Sequence, residues 1–267
     1  MRVWAAIGFA LALSAASVWA GDFEDGLKFY QAKDYENAIA SWQKAAALGN
    51  ASAQFTLGFM SEKGQGTAEN FGQAAVWYRQ AAERGYAPAQ TNLGFLYERG
   101  QGVAQDNRQA VYWYRKAADQ GMAEAQFNLG RMYQTGQGVA QDYAQAASWF
   151  RKAGEQGHVW AQSNLGLMYE TGQGVARDYK QAVYWYRKAA EKGDSRAQFD
   201  LGRIYEAGQE GVPTDYVEAH KWWSIAEANG EERARNSRIL VERLMTPEQL
   251  AEAKRQAHEW MKAHESK

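Results

Sequence analysis

The chain contains no cysteine. That excludes a disulfide framework and any structural zinc site of the cysteine type, so the core must hold by packing alone. Histidine is scarce, at His158, His220, His258 and His264, and no two stand at the i, i+4 spacing of a helical metal pair. No HExxH, GxSxG or Walker loop occurs, and no GxGxxG follows a strand. The histidines therefore read as solvated helix-face side chains, and the carboxylates as surface or capping residues. No catalytic, cofactor-binding or metal-ligating residue is expected. An excess of one charge is absent too: 30 basic side chains face 31 acidic ones, which leaves no electrostatic footprint for nucleic acid or anionic lipid.

Long apolar runs are missing except at the start. Residues 1–20, MRVWAAIGFALALSAASVWA, carry one charge at Arg2, then an apolar run, then small residues ending at Ala20. That is the pattern of a secretory signal peptide, too short for a stable membrane anchor. The expectation is an exported protein, periplasmic or secreted further, with no membrane insertion after cleavage. Cleavage removes only Arg2 from the charge balance.

What is present is a period. Leu57-Gly58, Leu93-Gly94, Leu129-Gly130, Leu165-Gly166 and Leu201-Gly202 succeed one another every 36 residues. Ala-Gln pairs begin at Ala53, Ala89, Ala125, Ala161 and Ala197, and tyrosine recurs at 97, 133, 169 and 205. Trp77, Trp113, Trp149 and Trp185 follow in register, and Trp222 comes one residue late because Gln209-Glu210 lengthens its loop. Residues 51–230 thus form five tandem repeats. A degenerate copy at 21–50 keeps Asp34, Ala38, Ala45, Ala46 and Gly49 in phase, and residues 231–267 read as capping helices, the last opened by Thr246-Pro247-Glu248-Gln249.

Within one repeat, Ala89, Leu93 and Tyr97 form one stripe on a first helix, and Ala110, Trp113, Tyr114 and Ala117 one face of a second. Gly94, Gly130 and Gly166 sit where a helix interior disfavours glycine by roughly 1 kcal/mol, so a neighbouring helix is expected to pass too close for a Cβ. The loops RGQGVAQD, TGQGVAQD and TGQGVARD raise the question of a phosphate cradle. They follow helices rather than strands, and Asp106, Asp142 and Asp178 stand at the N-cap, where a carboxylate would repel an anion. The pairs Gly100/Gly102, Gly136/Gly138 and Gly172/Gly174 then supply positive-φ or crowded turn positions, and Asp106 with Gln109 reads as a capping box.

Neither helix buries its stripe alone, so an all-α solenoid of stacked helix pairs is expected, with Trp113, Trp149 and Trp185 as packing residues. The pattern A-x-x-x-L-G-x-x-Y-x-x-G-x-G-V-x-x-D-x-x-x-A-x-x-W-Y-x-K-A-A-x-x-G closely resembles the Sel-1-like repeat, a relative of the tetratricopeptide repeat. The segment at 27–49 resembles an ordinary tetratricopeptide unit. The resemblance implies a right-handed superhelix of antiparallel helix pairs, and a non-enzymatic adaptor for other proteins. Secreted relatives often carry paired cysteines, from which this chain departs.

In a tetratricopeptide-like stack, the side of the first helix opposite its core stripe resembles the lining of a concave groove. Its columns here hold Phe55, Phe127 and Phe199; then Asn92, Asn128 and Asn164; then Phe59, Phe95, Arg131 and Arg203, with Trp160 at the head of its helix. Aromatics, Arg and Asn are residue types that anchor protein ligands. The expectation is a peptide or protein segment bound along this face by a monomer or weak oligomer. Alternatives are that the phenylalanines are satellite core, that the chain is an exported enzyme or binder acting on cell-wall fragments, or that it is a self-assembling scaffold.

Overall fold

The computed structural model describes residues 19–264, so most of the expected signal peptide, residues 1–18, lies outside the described residues. Fourteen α-helices and no β-strand occur among the described residues. They are α1 (Trp19–Gln31), α2 (Tyr35–Ala47), α3 (Ala51–Lys63), α4 (Phe71–Glu83), α5 (Ala87–Arg99), α6 (Asn107–Asp119) and α7 (Ala123–Thr135), followed by α8 (Tyr143–Glu155), α9 (Val159–Thr171), α10 (Tyr179–Ala190), α11 (Ser195–Ala207), α12 (Tyr216–Ala228), α13 (Glu232–Glu242) and α14 (Pro247–His264). The chain divides into two compact units, one up to Gln141 and one from Asp142. Within each unit, consecutive helices of the repeats pack on one another, which is the architecture of an α-solenoid; at the end both α13 and α14 pack on α12.

Each repeat is built from the same few contacts. The second helices begin at side-chain N-caps: Asp106 Oδ1 accepts from the Arg108 and Gln109 amides at 2.9 and 3.1 Å, and Asp178 from the Gln181 amide at 3.0 Å. The reciprocal half of the expected capping box is not formed there. The Asp106 amide instead donates to the Tyr97 carbonyl (3.0 Å), and Asp178 to Tyr169 (2.9 Å), tying the second helix to the end of the first. At α14 both halves are formed, with Thr246 Oγ1 accepting from the Gln249 amide and Gln249 Oε1 from the Thr246 amide.

The two loop glycines have different duties. Gly100 ends α5 in the left-handed region at φ +65°. Gly102, also at positive φ, lies against the preceding repeat, where a Cβ would fall 2.2 Å from the carbonyl carbon of Phe71. Gly138 meets Asn107 and Gly174 meets Tyr143 in the same way, backbone against backbone.

The mid-helix glycines are explained by rings rather than by a helix backbone. A Cβ on Gly94 would stand 2.8 Å from the Tyr114 ring, and one on Gly166 2.7 Å from Tyr186. The ring takes the space that glycine leaves, which is how large aromatics and alanines reach interior density together. The recurring glutamine crosses between repeats: Gln90 Nε2 donates to the Ala82 carbonyl at 3.0 Å, and Gln162 to Gly154 and Gln198 to Ala190 likewise. Those carbonyls lie in the last turn of a second helix, where each also accepts a turn bond from the Gly85, Gly157 or Gly193 amide. Arg79 donates to the Tyr97 hydroxyl at 2.7 Å, and Arg151 and Arg187 repeat the bond to Tyr169 and Tyr205. Trp113, Trp185 and Trp222 are buried between neighbours, while Trp149 is half-buried under the Lys152 ammonium.

The first helices are buried on more than the expected stripe. In α5, Ala89, Leu93, Leu96 and Gly94 are buried, and so are Gln90, Thr91 and Glu98. α5 touches α6 and α4 and, through Glu98 and Arg131, α7, so little of its circumference is left for solvent.

Candidate functional site

The exposed part of the first-helix face is narrower than the columns in sequence suggest. Thr91 and Glu98 are 3% and 8% exposed. Phe55 packs against Tyr78 and Tyr86, ring centroids 5.6 and 5.4 Å away, and wedges two repeats together. Phe127 and Asn128 are buried at 8% and 7%. Phe55, Phe127 and Asn128 therefore belong to inter-repeat packing instead of an open surface. Phe199 is intermediate, tilted on Trp223 and covered by the Arg233 guanidinium at 4.4 Å.

Half-buried residues remain. In the first unit these are Phe59, Asn92 and Phe95. Lys63 stands 5.8 Å from the Phe59 ring and Arg99 5.6 Å from Phe95, so each aromatic is paired with a cation one turn later. In the second unit they are Trp160, Asn164 and Leu167 on α9, with Asp200 and Arg203 on α11. Asn164 Nδ2 donates to the Trp160 carbonyl at 2.7 Å, which holds the amide in place.

The two arginines read as partner anchors are tied down internally. Arg131 Nη2 reaches back to Glu98 Oε1 at 2.7 Å, and the other Glu98 oxygen accepts from the Tyr114 hydroxyl at 2.8 Å. Arg203 makes the same bond to Glu170, whose second oxygen accepts from Tyr186 at 2.9 Å. Burial raises the Tyr114 and Tyr186 hydroxyl pKa, with the adjacent carboxylates adding to it. Burial opposes the Arg203 cation, yet the bond to Glu170 and the charges around it together outweigh burial and hold its pKa up. These are clamps between successive repeats. Reading for individual anchors missed them, yet the register carries the signal. Glu98, Tyr114 and Arg131 occur together, as do Glu170, Tyr186 and Arg203, whereas the intervening positions are Gln134, Phe150 and Leu167.

The histidines are not solvated helix-face residues, save His258. His158 N-caps α9 through Nδ1, and His264 stacks on Trp260 at 3.9 Å. His220 is 1% exposed, with Nε2 2.9 Å from Glu242 and Nδ1 3.3 Å from Ser224. This hydroxyl, imidazole and carboxylate set resembles a nucleophile triad only in composition. The Ser224 hydroxyl donates to the His220 carbonyl of its own helix at 2.8 Å, and the imidazole is sealed from solvent. Among the described residues, no three His, Asp or Glu side chains gather where a metal could sit, and no helix is long and apolar enough to cross a membrane.

The Sel1 repeat pattern matches residues 19–50, 51–86, 87–122, 123–158, 161–194 and 195–231. The chain is similar to a Sel1 repeat protein from Oxalobacter formigenes, 38% identical over 80% of this chain and 84% of that one, with a TM-score of 0.72. It is also similar to a protective antigen present in uropathogenic Escherichia coli strains displaying an SLR fold, at 30% identity and a TM-score of 0.63; the match covers 91% of this chain and 60% of that one. No curated protein matches the chain. Sel1 repeat proteins are generally protein-interaction scaffolds, and the fold is typically non-catalytic. With six matched segments spanning most of its length, the chain belongs to the Sel1 repeat family.

Proposed function

We propose that this protein is an exported, non-enzymatic adaptor that holds a peptide or protein segment against the first-helix face of its repeats. The observation that supports this most directly is the contrast between columns. Packing columns such as Ala-Gln and Leu-Gly keep one residue type through all five repeats, whereas one half-buried face column runs Phe59, Phe95, Arg131, Leu167 and Arg203. Half-buried aromatics beside Lys63 and Arg99 supply apolar area with a polar edge, the combination that anchors protein ligands.

Export rests on the charge, apolar run and small residues of 1–20. A cell fractionation with mass measurement should find a mature chain starting at Gly21 outside the cytoplasm. A photo-crosslinking residue placed at Arg99 or Arg196 should trap one defined partner in cells, while the same residue at Gln80 or Arg108, exposed on second helices, should not. Equal trapping from both sets would remove the face assignment.

A further inference from the structure

Between α9 and α11 the wedge that aromatics fill in the first unit is open. There Phe55 meets Tyr86; the residues in register are Ser163 and Asp194, both small, joined by a bond from Ser163 Oγ to Asp194 Oδ2 at 2.8 Å. The space left is a cavity of about 20 Å³ lined by Ser163, Asn164, Leu167, Tyr186, Arg196 and Asp200. That admits one water-sized group.

Acceptors outnumber donors around it, although Asn164 keeps a second N–H and Arg196 is a donor. Ser163 has given its proton to Asp194, Asn164 has given an N–H to Trp160, and Tyr186 has given its proton to Glu170. Asp200 has Arg203 Nε no nearer than 3.6 Å. Burial pushes the Asp200 carboxyl above its usual range, with Glu170 adding to this and Arg203 and Arg196 opposing it. Those two arginines offset the carboxylate, so the place favours a neutral donor over an ammonium group.

We propose that this notch is the specificity pocket of the second unit, taking one hydroxyl or amide N–H donor from the side chain of a peptide lying across α9 and α11. The assignment rests on the first-helix face being the binding face. Ser163→Phe is the decisive variant, because the same column carries Phe55, Phe127 and Phe199 and the fold accommodates a ring there.

The test selects a phage-displayed library of random peptides of about twelve residues on the wild-type full chain. The expected pool shares one Ser, Thr, Asn or Gln position. Its members should bind Ser163→Phe about tenfold more weakly, while the melting temperature of that variant is not lowered. Changing the shared side chain to Ala should weaken binding to the wild type but not to Ser163→Phe. Asp200→Asn, which keeps the shape and replaces an acceptor by an amide, should also weaken binding and serves if Ser163→Phe folds poorly. A pool that binds both variants undiminished, or one enriched in Lys, overturns the pocket assignment alone. Failure to select any peptide overturns the peptide-binding reading on which it rests.

Discussion

Arg131 on α7 and Glu98 on α5 are joined at 2.7 Å, a bond that crosses from one repeat to the next and leaves Glu98 only 8% exposed. Arg131→Leu removes the cation and strands a buried carboxylate. Because Arg131 is about one-third exposed, water relieves part of the loss, and a destabilisation of ~1–3 kcal/mol is expected. Adding Glu98→Gln should recover most of it, since Gln134 and Leu167 occupy those columns elsewhere in the array. Denaturant melts of the two single variants and the double variant measure the coupling. Additive losses would show that the clamp is not a unit.

Gly102→Ala and Gly94→Ala should differ sharply. At Gly102 the new Cβ meets backbone 2.2 Å away at positive φ; at Gly94 it meets a ring edge that can shift by tenths of an ångström. The first should lower stability by ~3 kcal/mol or more and the second by ~1–2, partly offset by alanine's helix propensity. Gly121→Ala, with open space and a φ of +89°, isolates the backbone strain. Thermal melts rank the three, and equal losses at all three would refute the role of close contact.

Asp142→Ala should cost about 1 kcal/mol, because Asp142 accepts from the Gln145 amide at 3.0 Å and alanine leaves that donor to water. Calorimetry on the variant checks this, and Asp142→Asn should lose less.

His220 gives the fold an acid-sensitive element. Burial lowers its pKa from the ordinary 6.5, against the opposing pull of Glu242, with Arg238 and Lys254 also disfavouring the charged ring. The unfolded chain therefore takes up this proton at higher pH than the folded one does. Above pH 6.5 His220 has no such effect, and stability should fall as pH drops from there toward the lower folded value. Glu242, held below its usual range chiefly by His220, contributes stability that is lost only at more acidic pH. Unfolding curves between pH 7 and 5 should flatten in His220→Gln.

Helix pairs, their length and their loops were legible in the sequence because one packing solution is written repeatedly, and a column that never changes can be read without knowing its partner. Face and core were harder to separate. Thr91, Gln90 and Glu98 are polar yet buried, because the first helix has neighbours on several sides and each polar atom finds a partner there. A helical wheel places Thr91 and Glu98 outward. The Ser163 notch was hidden for the opposite reason: it exists through an absent ring, and absence of volume shows only when Phe55 and Tyr86 are seen filling the equivalent place. His220 misled because histidine is usually near solvent, and nothing in its local sequence announces that α13 brings Glu242 against it.

The contacts of Gly102, Gly138 and Gly174 also govern how faithfully the repeats are spaced. Backbone touching backbone is an incompressible stop, so small errors in one junction are not passed on to the next within a unit. The last loop is different: Gly211 meets the flexible end of the Lys180 side chain, and the one extra residue lies in a turn bridged between Gln209 and Val212. That junction has a yielding stop instead of a rigid one. It is where the position of α12 and the helices packed on it can be retuned by a single side chain while the pairs before it stay in register.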